Sequence, residues 1–213
     1  MGREFIEIFN NWADTYDASV SGEDPQYAAV FANYEDILAE VVQNSSGNVV
    51  EFGVGTGNLA EKLLEEGHKV IGIEPSLAMR EIAATKLPTL NVLEGDFIDY
   101  PAFPYAVDTI VSTYAFHHLT DTEKDQAIKQ YSAFLPKEGK IVFADTMFKS
   151  ETEKLKAIEA AKNQKFFNLA EDLEREYYTT IPVIQTIFNT HQFDVTFKQM
   201  NDFVWLLTAE RMI

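Results

Sequence analysis

Apolar side chains recur along this chain with two different periods, and the switches between them lay out the elements. Phe5, Ile8, Phe9, Trp12 and Tyr16 fall at helical spacing, which predicts an amphipathic helix at the start. Residues 17–24 read as a loop. Asp24-Pro25 reads as a helix start, with Asp as N-cap and Pro at the first helical position. Tyr27, Val30, Phe31, Tyr34, Ile37, Leu38, Val41 and Val42 carry its stripe to a stop at Asn44-Ser45-Ser46-Gly47. Short β-branched runs then alternate with helical stripes. They predict strands at 48–53, 69–74, 91–96, 108–113 and 140–145. Helices fill the gaps: one from the glycine stretch to near Gly67, one from Pro75-Ser76 to Leu87-Pro88, and one from Thr120 to Pro136. Thr120 with Glu123 three residues on forms a capping box for the last of these.

Repeated strand–helix units imply a parallel sheet with helices on both faces. The tail breaks that rhythm. Residues 151–170 and roughly 182–191 read as helices, and 193–199 and 202–208 are apolar runs with almost nothing between them. So short a connection demands an antiparallel hairpin.

Composition narrows the class. The 213 residues suit one domain with a small lid: residues 1–46 as N-terminal lid helices and 47–213 as the core with its C-terminal hairpin. A formal charge of −17 works against nucleic acid and anionic membrane surfaces as partners and leaves a small molecule as the better one. The same charge also serves solubility. The chain has no cysteine, which excludes disulfides, thiolate metal sites and a Cys nucleophile. Its first residues lack the apolar core of a signal peptide, and no apolar run is long enough to span a bilayer, so a cytoplasmic location is expected.

The chemistry concentrates in Glu51-Phe52-Gly53-Val54-Gly55-Thr56-Gly57-Asn58. A strand, a glycine turn and a helix N-terminus bring exposed backbone N–H groups to one place. The spacing is G-x-G-x-G, not the G-x-G-x-x-G of dinucleotide sites, and no Lys-Ser or Lys-Thr follows as in a phosphate loop. An acid two residues before the first glycine suits a cation better than a pyrophosphate. A tight turn without a ligand fits the glycines as well. Glu74 ends the second strand, 21 residues after Gly53, where open α/β sheets bind ligands and where a carboxylate can take both ribose hydroxyls. A helix cap is the plainer role for it. Asp96 ends the third strand with Phe97 next, and Leu77 and Met79 could wall the same pocket or simply pack in the core. Strand four runs out through Thr113 into Tyr114-Ala115-Phe116-His117-His118-Leu119. Two adjacent histidines could orient an acceptor or take its proton, or be packed side chains. Metal is not expected, because adjacent residues seldom converge on one ion and the sequence shows no third ligand.

In order, these motifs resemble those of class I S-adenosylmethionine (AdoMet)-dependent methyltransferases. E-x-G-x-G-x-G after strand one looks like their first motif, and Trp12-Ala13-Asp14-Thr15-Tyr16-Asp17 resembles the W-A-x-x-Y-D lid segment of many small-molecule members. Glu51–Leu59, Tyr114–Thr120, Lys140–Thr146 and Asn201–Trp205 are similar to the shared segments of small YrrT-type methyltransferases. The resemblance implies a Rossmann-like sheet of order 3-2-1-4-5-7-6 with strand seven antiparallel. It implies AdoMet as cofactor, S-adenosylhomocysteine as product and a small-molecule methyl acceptor. Cofactor contacts would come from Tyr16, Glu51, Gly53, Gly55, Glu74, Pro75, Met79, Asp96, Phe97 and Thr113, with His117 and His118 as the candidate catalytic residues. Neither acceptor identity nor oligomeric state follows. Rival readings are a nicotinamide-dependent oxidoreductase, which the glycine spacing and Glu51 disfavour, a non-catalytic AdoMet sensor, and an aminopropyl transferase.

Overall fold

The computed structural model describes residues 5, 6, 10, 13, 16–20, 22 and 24–213. The stripe predicted over 5–16 therefore lies partly outside the described residues, Ile8, Phe9 and Trp12 among them, and so does half of the W-A-x-x-Y-D segment.

Seven strands form one sheet in the order β3-β2-β1-β4-β5-β7-β6. They are β1 Asn48–Phe52, β2 Lys69–Ile73, β3 Asn91–Leu93, β4 Thr109–Thr113, β5 Lys140–Thr146, β6 Phe193–Gln199 and β7 Val204–Arg211. The first five are parallel, and β7 runs antiparallel to both β5 and β6. The Rossmann-like order and the reversed strand are those implied by the resemblance.

Alternation along each strand feeds two cores. In β1 Val49 goes to one face and Val50 and Phe52 to the other, and in β5 Ile141 and Phe143 oppose Val142 and Ala144. Helices cover both faces, as parallel strands require. On one side lie α2 (Tyr34–Asn44), α3 (Asn58–Glu65) and α4 (Leu77–Lys86), which contribute Leu38, Leu63 and Ala83. On the other lie α5 (Asp121–Phe134) and α8 (Ile181–Thr190), with Ile128, Tyr131, Ile184 and Phe188. Thr120 and Glu123 form the predicted capping box at the start of α5. Among the described residues no helix is long and apolar enough to cross a membrane.

Three local expectations need correction. The predicted loop at 17–24 begins as a short helix, α1 (Tyr16–Val20), held to the glycine turn by Asp17. The helix predicted from Asp24 starts only at Tyr34. Residues 24–33 are turns, with the Asp24 carboxylate accepting from the Gln26 backbone and Asn33 in the left-handed region at φ 64°. The apolar stripe serves two cores, which a single straight helix could not reach. Ile37, Leu38, Val41 and Val42 pack on the sheet, whereas Val30 packs with Leu169, Ala170 and Leu173 in a separate cluster. The Asn201 amide satisfies the freed carbonyls of Val30 and Ala32 at the break. Finally, β3 stops at Leu93, and Gly95-Asp96 already turns away from the sheet.

That separate cluster belongs to a cap. The chain leaves β5 into α6 (Glu151–Asn163) and α7 (Phe167–Arg175), which pack on Val30 and Phe148. The cap and residues 24–31 together stand over the carboxyl edge of the sheet.

Candidate functional site

The turn after β1 holds Gly53, Gly55 and Gly57 at φ 71°, 56° and 91°, conformations that side chains resist. A Cβ on Gly53 would sit 2.7 Å from the Ala115 Cβ, so this glycine permits the close approach of the β4 exit. Gly55 faces open space, with nothing within 4 Å of an added Cβ. Its N–H donates to Glu74 Oε2 at 2.9 Å, while Glu74 Oε1 accepts from Ser76 N at 2.8 Å. Glu74 thus staples the glycine turn to the end of β2. Burial raises its pKa, against lowering by these two N–H groups and by Arg80.

Between these lips lies a cavity of about 80 Å³, lined by Tyr16, Gly53, Gly55, Glu74, Pro75, Met79, Asp96, Phe97, Thr113, Tyr114, Ala115, His118 and Leu119. Nine of the ten residues expected to contact a cofactor stand on its wall. Asp96 is pinned there because its Oδ1 accepts from Ile98 N and Asp99 N at 2.9 and 2.8 Å. Phe97 stacks on Phe52, 5.4 Å between centroids, and its carbonyl accepts from the Tyr131 hydroxyl at 2.7 Å. Leu77 is absent from the wall and is 58% exposed, a correction to its proposed part in the pocket.

The tenth residue, Glu51, lies in β1 behind the cavity. It is buried, and its Oε2 has no hydrogen-bond partner. Burial, and then the Glu74 charge, push its pKa well up. An orphaned buried carboxyl oxygen is costly unless something completes it.

Asp17 and Asn10 tie the two sides of this mouth to the N-terminal part of the chain. Asp17 Oδ1 accepts from the Thr56 hydroxyl at 2.7 Å and from the Asn58 amide at 3.1 Å, while Ser76 Oγ donates to Asn10 Oδ1 at 2.6 Å. Tyr16, beside Asp17, lines the cavity. Burial, with nearby Tyr34 and Tyr114, holds its phenol protonated.

A second chamber of about 400 Å³ opens beyond Tyr16, Tyr114 and His118, which line both spaces. Its walls mix aromatic rings (Tyr27, Phe31, Tyr178) with acids (Asp24, Glu171, Asp172, Glu176). Tyr114, at φ 53°, marks the partition, and its ring lies 5.1 Å from Phe31 and 5.7 Å from Tyr34.

Of these two spaces His117 lines the second alone. Its Nδ1 lies 2.6 Å from Asp145 Oδ1 and its Nε2 3.3 Å from Glu176 Oε2. Its backbone N–H donates to Asp145 Oδ2 at 2.8 Å, and Tyr178 stacks on its ring at 4.6 Å. Burial alone would lower its pKa, but Asp145, and after it Glu176, push it up to about 10. Glu176, which burial would raise, is instead held down to about 2 by His117, His118 and the Tyr178 hydroxyl. His118 goes the other way: burial and the His117 charge lower it well below the usual value, so it is neutral at pH 7.

The His117 shift makes stability depend on pH. With a folded-state pKa of about 10 against an ordinary 6.5, its contribution is fully present below about pH 6.5 and drains away as pH rises through 10. The thermal midpoint should therefore fall more steeply between pH 7 and about 10 in this chain than in a His117→Gln variant. Parallel slopes in scanning calorimetry would refute the charged pairing.

Asp145, Glu176, Asp172 and Tyr178 were not singled out in the sequence. Asp145 carried a signal, an acid at the carboxyl end of a buried strand like Glu74 and Asp96. Glu176 and Tyr178 lie in an irregular segment after α7 and carried none. A buried lysine fixes that segment: Lys124 Nζ donates to the carbonyls of Leu119 and Tyr177, tying the histidine turn to the Glu176 loop.

Comparison with known proteins agrees with this geometry. A family described as a methyltransferase domain matches residues 49–139. An uncharacterized methyltransferase of Oceanobacillus iheyensis is 57% identical over 212 residues, covering 100% of both chains. One of Bacillus mycoides is also 57% identical, over 99% of this chain and 100% of its own. Among solved structures, magnesium protoporphyrin IX methyltransferase of Synechocystis PCC 6803 with bound SAH superposes with a TM-score of 0.69 at 14% identity, covering 96% of this chain and 99% of that one. A DhpI–SAH complex gives 0.68 at 14% identity, over 100% and 97%.

Proposed function

The chain belongs to the methyltransferase family of these relatives, and we propose that it transfers the methyl group of AdoMet to a small-molecule acceptor seated in the second chamber. The observation that carries this reading is the meeting of two cavities at Tyr16, Tyr114 and His118. One has the donor set of a nucleoside site, and the other falls within the roughly 300–1,000 Å³ of small-ligand pockets.

The residues fit the cofactor. Glu74 serves the ribose hydroxyls and Asp96 the adenine amino group, with Phe97 and Met79 against the base. Gly53 and Gly55 let the ligand approach the backbone, and Pro75, Thr113 and Tyr16 complete the wall. Glu51 balances the positive charge from behind, through its orphaned oxygen. At about 80 Å³ the cavity is too tight for a whole nucleoside, so its walls part on loading.

Bound AdoMet supplies a methyl group already activated toward displacement. The chain's task is to align the acceptor and exclude water. Tyr114 and His118 sit where the two spaces join. His117, which already holds its proton, orients the neighbouring groups. His118, neutral at pH 7, is the group able to take a proton from an acceptor that keeps one. His118→Ala should lower turnover at least about tenfold while the AdoMet dissociation constant stays within about twofold. Equal losses in both would assign His118 a structural part only.

Methyl-labelled AdoMet incubated with the chain and a cell extract tests the acceptor class. Label should appear in the low-molecular-weight filtrate. Label confined to protein or nucleic acid would overturn the small-molecule reading. Calorimetric titration with AdoMet, S-adenosylhomocysteine and NAD tests the cofactor, and NAD alone binding would reinstate the oxidoreductase.

A further inference from the structure

His117, His118 and Glu176 each present one ligating atom to a common space, and these atoms lie within 4.8 Å of one another. The expectation of no metal rested on adjacent histidines diverging and on the lack of a third ligand. The fold removes both objections. A tight 3-10 turn, Phe116–His118, sets the two imidazoles with centroids 4.1 Å apart, and the loop after α7 brings Glu176 to them.

We propose that His117, His118 and Glu176 form a binding site for one divalent transition-metal ion, with Zn²⁺ the best match. The ligand set is two imidazoles and one carboxylate, which leaves a position open, as in catalytic zinc sites. One pair already has the required spacing, and binding draws in the widest pair, at most 4.8 Å apart. Ligands about 2.0–2.1 Å from a tetrahedral ion stand about 3.3 Å from each other, and His117 Nε2 lies 3.3 Å from Glu176 Oε2.

The outer partners are those a ligated site needs. Asp145 Oδ1, 2.6 Å from His117 Nδ1, fixes a proton there, so that once an ion displaces the proton on Nε2 its lone pair faces the cluster. The Tyr178 hydroxyl donates to Glu176 Oε2 at 2.7 Å and holds the carboxylate. Lys124 locks the two backbone segments together. The three ligands are about nine-tenths buried and line the second chamber, so the open position faces that space. On the same walls Asp24, Glu171 and Asp172 outnumber Arg175, which pairs with the last two, and the surplus of negative charge favours entry of a cation. An ion and a proton compete for the same lone pairs, so the charged His117 and the proton acceptor assigned to His118 both belong to the metal-free chain.

The test is metal binding on the whole chain, independent of methyl transfer. After equilibration with Zn²⁺ and dialysis against metal-free buffer, elemental analysis should find one zinc per chain. Co²⁺ titration should give a saturable visible absorption band. Glu176→Gln and His118→Asn should each weaken binding at least tenfold, and Asp145→Asn by about 10- to 100-fold. Zinc should also raise the thermal midpoint of the unaltered chain, a readout that stands even where a variant fails to fold. No retained zinc and no zinc-dependent midpoint shift would overturn the site, as would undiminished affinity in Glu176→Gln and His118→Asn. AdoMet calorimetry on the same samples separates this result from the methyltransferase reading, because loss of either kind of binding can be seen without the other.

Discussion

Asp145→Ala is expected to lower the unfolding free energy by about 3–5 kcal/mol, the usual cost of removing one member of a buried charge pair. Asp145 is 4% exposed, and both of its oxygens are engaged. Oδ1 meets His117 Nδ1 at 2.6 Å and Thr146 N at 2.7 Å, while Oδ2 accepts from His117 N at 2.8 Å. Alanine would leave two backbone N–H groups without acceptors in a dry place, each costing about 1–3 kcal/mol. The imidazole can release its proton, which limits the charge penalty, so the backbone loss sets the floor. For a chain of this size the drop corresponds to about 6–20 °C in thermal midpoint, at about 2–4 °C per kcal/mol. Scanning calorimetry at pH 7 would read it. A shift under about 2 °C would mean that the pair contributes little.

Glu74→Ala should weaken AdoMet binding by about 1.5–3 kcal/mol, the range for hydrogen bonds to a charged group. This is roughly 10- to 150-fold in the dissociation constant. Two losses act together. The ribose loses its acceptor, and the N–H groups of Gly55 and Ser76 lose the carboxylate that holds the two lips in register, at 2.9 and 2.8 Å. Because those contacts are local, the sheet beneath should keep its far-ultraviolet circular dichroism. An unchanged dissociation constant would remove Glu74 from the cofactor site. Glu74→Gln separates the two effects, since the amide oxygen can still accept from one lip while the charge is gone.

Much of the fold was legible because its signals are local. The β-branched runs of β1, β2, β4 and β5 are bounded by glycine, proline or an acid, and each strand alternates between the two cores. The hairpin of β6 and β7 follows from the shortness of its connection. The wall of the smaller cavity was legible for the same reason: Gly53, Glu74, Asp96 and Thr113 all sit where a strand runs out, and the carboxyl edge of a parallel sheet gathers such positions in one place.

The largest misreading, the helix from Asp24, has a physical cause. The stripe from Tyr27 to Val42 has a single period, yet its first half packs on the cap and its second half on the sheet. Periodicity reports that a face is buried and is silent about what buries it, so the break at Asn33 could not be seen.

The sequence by itself determined the strand–helix alternation, the glycine turn and the acids that follow strands two and three, because each depends on neighbours a few residues away. Only the tertiary structure decided which histidine is charged, where Glu176 stands and what the two cavities share. Those properties arise between residues far apart in the chain. His117 meets Asp145 28 positions on and Lys124 reaches the carbonyl of Tyr177 53 positions on. In a buried site, charge and hydrogen bonding are set by what the fold brings within about 3 Å, whatever the distance along the sequence.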